Sequence, residues 1–235
     1  MGDAPKRHCM VVYARYPLGE TRVQREAEAL IGHGYEVDVI CIRFSDEPAR
    51  GSHQGVRIYR EEFRFPLLSR KGRGLGRRFL NDLRFFISAG TRLSQLHRQR
   101  AYTTVQVHNL PDFLVFCALI PKLKGVPVIL DLHDLMPEFY EGRFGEDGGG
   151  LAKRLVRWQE RVSCRFADHV ITVSEHWRQA LIQRGVPEHK CSVVMNVADD
   201  RIFDPLKHGA PRSPDDSGFR MIYHGTLVKR YGLDL

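Results

Sequence analysis

The sequence predicts an α/β fold, a Rossmann-like parallel sheet with helices on both faces, and three observations carry that reading. Residues 8–42 run strand, glycine-containing loop, helix, strand, the order of a right-handed βαβ unit. Short apolar runs then alternate with helical patterns as far as Met195, as a parallel sheet covered on both faces requires. Two of those runs, VQVH and VPVILDLHD, end in histidines and carboxylates. The carboxyl ends of strands are where open α/β sheets place their ligand crevice.

In chain order, His8 to Tyr13 reads as the first strand and ARYPLGE as a loop with Pro17 and Gly19 as turn residues. Thr21 with Gln24 has the spacing of a capping box. The helix it opens puts Val23, Ala27, Leu30 and Ile31 on one face and closes at Gly32 or Gly34. YEVDVICI is the second strand and GVRIYR a third. SRKGRGLGRRFLNDLRFF then sets Arg70, Lys71, Arg73, Arg77, Arg78 and Arg84 among leucines and phenylalanines, and from about Gly76 to Arg100 it reads as an amphipathic helix. A basic stripe beside aromatics suits an anionic membrane surface; a solvated helix with its phenylalanines in the core is the competing reading. No recognition motif supports nucleic acid.

Thr103 to His108 is the fourth strand, and Asn109 can cap the helix that follows, with Pro111 and Asp112 in its first turn and Pro121 at its end. Val126 to Asp131 is the fifth strand; it delivers His133, Asp134 and Glu138 and leads into a glycine-rich loop, Glu141 to Gly150. Leu151, Leu155, Trp158, Val162 and Phe166 recur at helical spacing. His169 to Val173 is a strand, Ser174 caps a helix ended by Gly185 and Pro187, and Cys191 to Met195 is the last strand of this block. Residues 197–217 are rich in Pro, Asp, Gly and Ser and read as an interdomain linker. Residues 218–235 begin again with a strand, a glycine loop and a helix start. The expected division is therefore a domain over 1–196, a linker over 197–217, and the opening of a truncated second domain over 218–235.

Composition narrows the function classes. The net charge of +8 and pI near 9.4 favour an anionic partner. Five scattered cysteines without a CxxC pair read as reduced core thiols in a cytoplasmic protein. The most apolar stretch, FLVFCALI, is far below the roughly 20 residues of a membrane span. The first loop lacks GxGxxG, which argues against a dinucleotide-dependent dehydrogenase. Histidines 108 and 133 with Asp134 lack the ligand spacing of a recognised zinc site, so no metal is expected.

The motifs ARYPLGETRVQREAEALIGHGYEVDV, VQVHNLPD, LDLHDLMPEFY, ADHVITVSEHWRQALIQRGVP, VMNVADDRIFDP and IYHGTLVKRYGLDL, in that order, resemble the retaining, nucleotide-sugar-dependent glycosyltransferases of family 4 with the GT-B fold. The resemblance implies an N-terminal acceptor-binding domain facing a C-terminal donor-binding domain, and no metal or cofactor beyond the nucleotide-sugar substrate. It places Gly19 in the first loop, near the donor phosphates, His133 where a strand-end histidine faces the reacting sugar, and Gly225 at the opening of the donor loop. The expected site is then His133 and Asp134 as catalytic residues, Gly19, Glu20, His108 and Glu138 as acceptor-binding residues, and Gly225, Thr226, Lys229 and Arg230 as donor-binding residues, with Lys229 or Arg230 supplying the charge. It implies a glycan or lipid-linked acceptor, and with the basic segment an expected station on the inner membrane face. The first loop departs from the family in carrying one glycine where a pair is common, and Thr226 and Tyr231 stand where arginine and lysine are usual. A strand-end histidine satisfied by backbone, a glycine that only makes a turn, and a Glu138 that only caps a helix are the competing structural readings.

Overall fold

The computed structural model describes residues 6–44, 46–62, 75–144, 150–199, 202–208, 222–223 and 225, with backbone alone at 75–79, 141–144, 205 and 208. Its strands are β1 (Arg7–Val11), β2 (Glu36–Ile42), β3 (Arg50–His53), β4 (Val56–Glu61), β5 (Thr104–His108), β6 (Val128–Leu132), β7 (His169–Thr172) and β8 (Cys191–Val193). They form one sheet in the order β3-β4-β2-β1-β5-β6-β7-β8. Every neighbouring pair is parallel except β3 with β4. The chain runs outward from β1 to β2 on one side and restarts with β5 on the other, so the switch point lies between β1 and β5.

Strands buried on both faces need apolar residues at successive positions, and β1, β2 and β6 have them. One face carries Cys9, Val11, Ile40, Val105, Val107, Leu130 and Val170. Helix α2 (Leu75–Arg100) packs on it through Phe85, Ala89, Leu93 and Leu96, spaced by three or four residues. The same core takes in Leu114, Cys164 and Leu181 from the 3-10 helix Asp112–Ala118, α5 (Gly150–Phe166) and α6 (Glu175–Gln183). The other face is smaller: α1 (Thr21–Gly32) lays Val23 and Ala27 on Met10, Val12, Val37, Val39 and Ile58. Two short helices complete this part, α3 (Leu119–Leu123) and α4 (Met136–Phe144). All five cysteines are buried free thiols.

Several elements differ from expectation. Residue β3 was not anticipated; it returns to β4 through Gln54 (φ 47°) and Gly55 (φ 84°), a two-residue turn with both central residues at positive φ. The Thr21–Gln24 capping box is not formed: Glu20 is the N-cap, no side chain caps the helix, and Gln24 donates to Glu28 instead. The helix expected after Asn109 is a 3-10 segment followed by the short α3, with Pro121 inside α3. The first part of the glycine-rich loop is helical, as the end of α4. Ser174 does cap α6, accepting from the Trp177 amide at 3.3 Å.

The chain divides into two compact units, Met1–Met195 and Asn196–Leu235. In the second, α7 (Pro205–His208) starts at Asp204, whose carboxylate accepts from the Leu206 amide at 2.9 Å. The strand expected at Phe219–Tyr223 lies largely outside the described residues, and Ile222, Tyr223 and Gly225 are exposed.

Candidate active site

The carboxyl ends of β5 and β6 converge beside the switch point and under the start of α1. Side chains alternate across a strand, so the residues between the apolar core positions, His8 of β1, Gln106 and His108 of β5 and Asp131 of β6, face α1 instead of the larger core. They form a buried polar layer there. Asp131 is fully buried and sits at its centre. Arg22 of α1 holds it in a two-point clamp, Nε donating to Oδ2 and Nη2 to Oδ1, each at 3.1 Å. The same guanidinium pairs with Glu26 at 3.1 Å and donates to the Val194 carbonyl at 2.6 Å. Gln106 donates to Asp131 at 3.2 Å and to Glu26 at 2.7 Å, and its carbonyl oxygen meets His8 Nε2 at 3.2 Å.

Two histidines close the cluster. His108 Nδ1 is 3.3 Å and His133 Nε2 3.5 Å from Asp131 Oδ2, and the two ring nitrogens are 3.1 Å apart. His108 is fully buried, whereas the His133 side chain keeps 15% exposure at the strand end. The other nitrogen of His133, Nδ1, lies 3.7 Å from Glu20 Oε2 on the loop before α1. Asn109 fixes the turn that carries His133: its Oδ1 accepts from the His133 amide at 2.8 Å, and its Nδ2 donates to the Asp134 carbonyl at 2.5 Å and to Asp112 at 3.0 Å.

Charge follows from burial and pairing. Burial pushes the Asp131 carboxyl up, but the hydrogen bonds it accepts from His108 and His133 outweigh that and hold the group well below the usual carboxylate range. Burial lowers His108 despite Asp131, so its imidazole is neutral. Burial, with Asp131 nearby, pushes Glu26 up to about 7. Glu20 is raised by burial and by Asp134 and Asp131, with His133 opposing. His108 Nδ1, His133 Nε2 and Asp131 Oδ2 lie close enough together to share a cation. Asp131 already faces the Arg22 guanidinium, however, and Oδ2 is already approached by Arg22, Gln106 and both histidines. The donor set therefore serves to orient His133 and needs no metal to be neutralised.

Of the residues expected to act, His108, His133 and Glu20 are brought together. Asp134 is exposed at the same strand end. Gly19 sits tightly in its turn: a Cβ there would stand 3.0 Å from the Arg15 carbonyl oxygen. Glu138 is engaged elsewhere: it pairs with Arg184, just after α6, which also reaches Glu160 of α5 at 2.8 Å. Gly225 is exposed, and Thr226, Lys229 and Arg230 lie outside the described residues, as do Arg70, Lys71 and Arg73. Arg77 and Arg78 fall on the backbone of α2 only. Arg22, Gln106 and Asp131 were not singled out, and Asn109 was read only as a helix cap. A carboxylate inside the apolar run VILDL was the available signal, because a charge in a buried strand needs a partner.

A mostly parallel sheet covered by helices matches the Rossmann-like N-terminal domains of GT-B glycosyltransferases. The chain belongs to the glycosyl transferase 4-like domain family, whose model matches residues 19–196. No curated protein matches the sequence. Among solved structures, it is similar to sucrose-phosphate synthase from Thermosynechococcus elongatus, with TM-score 0.54, 15% identity, and coverage of 87% of this chain and 96% of that one. It is also similar to Phytolacca americana UGT2 complexed with UDP-2fluoro-glucose and pterostilbene (TM-score 0.57, 10% identity, 88% and 58% coverage). A third is the catalytic domain of starch synthase IV from Arabidopsis thaliana bound to ADP and acarbose (TM-score 0.54, 13% identity, 84% and 53% coverage). The chain thus spans little more than half the length of the last two.

Proposed function

We propose that this chain is the acceptor-side part of a retaining glycosyltransferase that moves a sugar from a nucleotide-sugar donor to a lipid-linked or polysaccharide acceptor. The observation that carries the reading is His133, which stands partly exposed at the end of β6 with its ring backed by Asp131 and its Nδ1 3.7 Å from Glu20. Similar structures hold UDP, ADP or UDP-2fluoro-glucose, which supports a nucleotide sugar as the donor class.

In this reading the bond from the anomeric carbon to the diphosphate breaks and a bond to the acceptor oxygen forms on the same face. The acceptor's hydroxyl proton leaves with the departing phosphate oxygen. His133, fixed by Asp131, borders the reacting sugar, while Glu20 and Asp134 accept hydrogen bonds from acceptor hydroxyls and set their angle of approach. The first-turn amides of α1, which no side chain caps, favour the developing negative charge of the diphosphate. Lys229 and Arg230 supply further positive charge. The basic segment containing Arg70, Lys71, Arg73, Arg77 and Arg78 holds the protein at the anionic inner membrane face. That no helix among the described residues is long and apolar enough to cross a membrane fits a peripheral station.

The test compares the 235-residue chain with a C-terminally extended gene product, scoring nucleoside diphosphate release from a panel of nucleotide sugars. Activity is expected in the extended form only. His133→Ala in that form should lose about 100-fold or more in kcat, with a change in unfolding free energy below about 1 kcal/mol. Donor turnover without acceptor would identify an epimerase instead, and a large stability loss would make His133 a structural residue.

A further inference from the structure

Helix α5 is built the wrong way round for a core helix. Its apolar residues recur at helical spacing, yet Leu151 is 81% exposed and Leu155 and Trp158 60% each. The buried positions are Glu160, Ser163 and Cys164, none of them a large apolar side chain, and Glu160 is held by Arg184, just after α6. At 100° per residue, Leu151, Leu155 and Trp158 form one outward stripe. Arg154, Arg161 and Arg165 run along one flank of it, and Arg157 lies beyond them, all four exposed. With Lys153 the helix carries five cations against a single carboxylate, the buried and paired Glu160.

The stripe does not stand alone. α5 and α2 both pack on the 3-10 helix between them, through Phe116 with Phe166 and Phe86 with Phe113, at centroid distances of 4.9 and 6.0 Å. That same side of the sheet shows Ile87 at 57% exposure and Leu123 at 75%. A second copy is a poor occupant, because a two-fold contact would set five cations against five. A nucleic acid would match the charge but leave the leucines and the tryptophan unused. An apolar stripe with Trp and Leu, bordered by Arg, matches the depth profile of an anionic bilayer surface, acyl chains below and headgroup phosphates above.

We propose that α5 is an interfacial helix that lays Leu151, Leu155 and Trp158 into an anionic lipid surface while Arg154, Arg161 and Arg165 meet the headgroup phosphates. The inference rests on the membrane part of the reading above and is independent of the sugar chemistry. It adds to the segment around Arg70–Arg78 a second contact that is hydrophobic as well as electrostatic.

The chain has two tryptophans, so Trp177→Phe leaves Trp158 as the sole reporter. Vesicles of phosphatidylcholine with phosphatidylglycerol should shift its emission to the blue, and brominated acyl chains should quench it. Trp158→Asp and Leu155→Asp should each weaken co-sedimentation roughly tenfold or more, with far-ultraviolet circular dichroism and unfolding midpoint unchanged because both side chains are exposed. Co-sedimentation with unaltered Trp158 emission would overturn the proposal and leave the Arg70–Arg78 contact standing. No co-sedimentation at low salt would overturn both. A blue shift that grows with protein concentration in the absence of lipid, with a doubled sedimenting mass, would assign the stripe to a second copy and overturn it as well. The nucleotide-sugar assay reads the transferase chemistry separately.

Discussion

At the residue scale the decisive group is Asp131. It is buried, ionised and clamped by Arg22, so removing its charge strands a buried guanidinium. Asp131→Asn should cost about 3–5 kcal/mol in urea unfolding, the penalty for breaking one side of a buried pair, and should free the ring of His133 in activity assays of the extended form. A second residue, Asp112, sets a pH dependence. Burial pushes its carboxyl up to about 7, and Asn109 only partly offsets that. The folded chain therefore keeps a proton that the unfolded chain surrenders near the ordinary Asp value of about 4. The stability from this group is whole below that value and is lost as pH rises through about 7. Asp112→Asn should remove that loss, so that the variant's stability relative to the parent rises by about 2–3 kcal/mol between pH 5 and pH 8.5, by thermal unfolding at both pH values. Glu26 keeps part of the alkaline decline in either chain, its carboxyl also standing at about 7. His8 works the opposite way: burial lowers it to about 4, so its contribution is whole above about 6.5 and lost as pH falls through about 4. The histidines of the site were legible because each ends an apolar run. Their support was not, because Arg22 and Asp131 lie 109 residues apart and only the fold brings them together.

At the element scale, α4, α5 and α6 are tied by one cation. Arg184 follows α6 and bridges Glu138 of α4 to Glu160 of α5, the latter only 3% exposed. Arg184→Met should lower unfolding free energy by about 3 kcal/mol, since Glu160 would lose its counter-charge while staying buried. The double variant with Glu160→Gln should recover most of that, and a thermodynamic cycle would measure the coupling. Most elements were readable from periodicity, and the misreadings have physical causes. At the start of α1, Glu20 takes the cap position ahead of Thr21, so the spacing of Thr21 and Gln24 cannot act as a box. In β3, four polar residues give no apolar signal, and the turn that makes the hairpin rests on Gln54 and Gly55, where Asn or Asp before Gly would have announced it. The period of α5 was legible, but periodicity reports only that one side is apolar. In the fold the inward side carries Cys164 and Glu160, and the Arg184 that pairs with Glu160 lies far from it in sequence and gives no periodic signal.

At the scale of the whole molecule, the sheet and both cores lie within Met1–Met195, the unit that also holds every residue of the buried polar layer. A chain ending at Met195 should therefore unfold cooperatively with an unchanged midpoint, measured by calorimetry; a midpoint lowered by more than about 4 °C, roughly 1 kcal/mol for a domain of this size, would give residues 196–235 a share in that stability. The α/β class was legible because parallel strands covered on both faces demand apolar runs separated by helices, and few other architectures do. The strand order was not, because sequence alternation is the same whichever side of β1 the chain resumes on. That order also leaves the sheet with two margins, and both are short. β8 has three residues, and β3 has four, Arg50, Gly51, Ser52 and His53, with no apolar side chain to offer a neighbour. An open strand edge is a template on which another chain can add, copy after copy, into a fibril. Here each margin is too brief or too polar to seed that growth, so the protein can reach a high local concentration without zipping sheet to sheet.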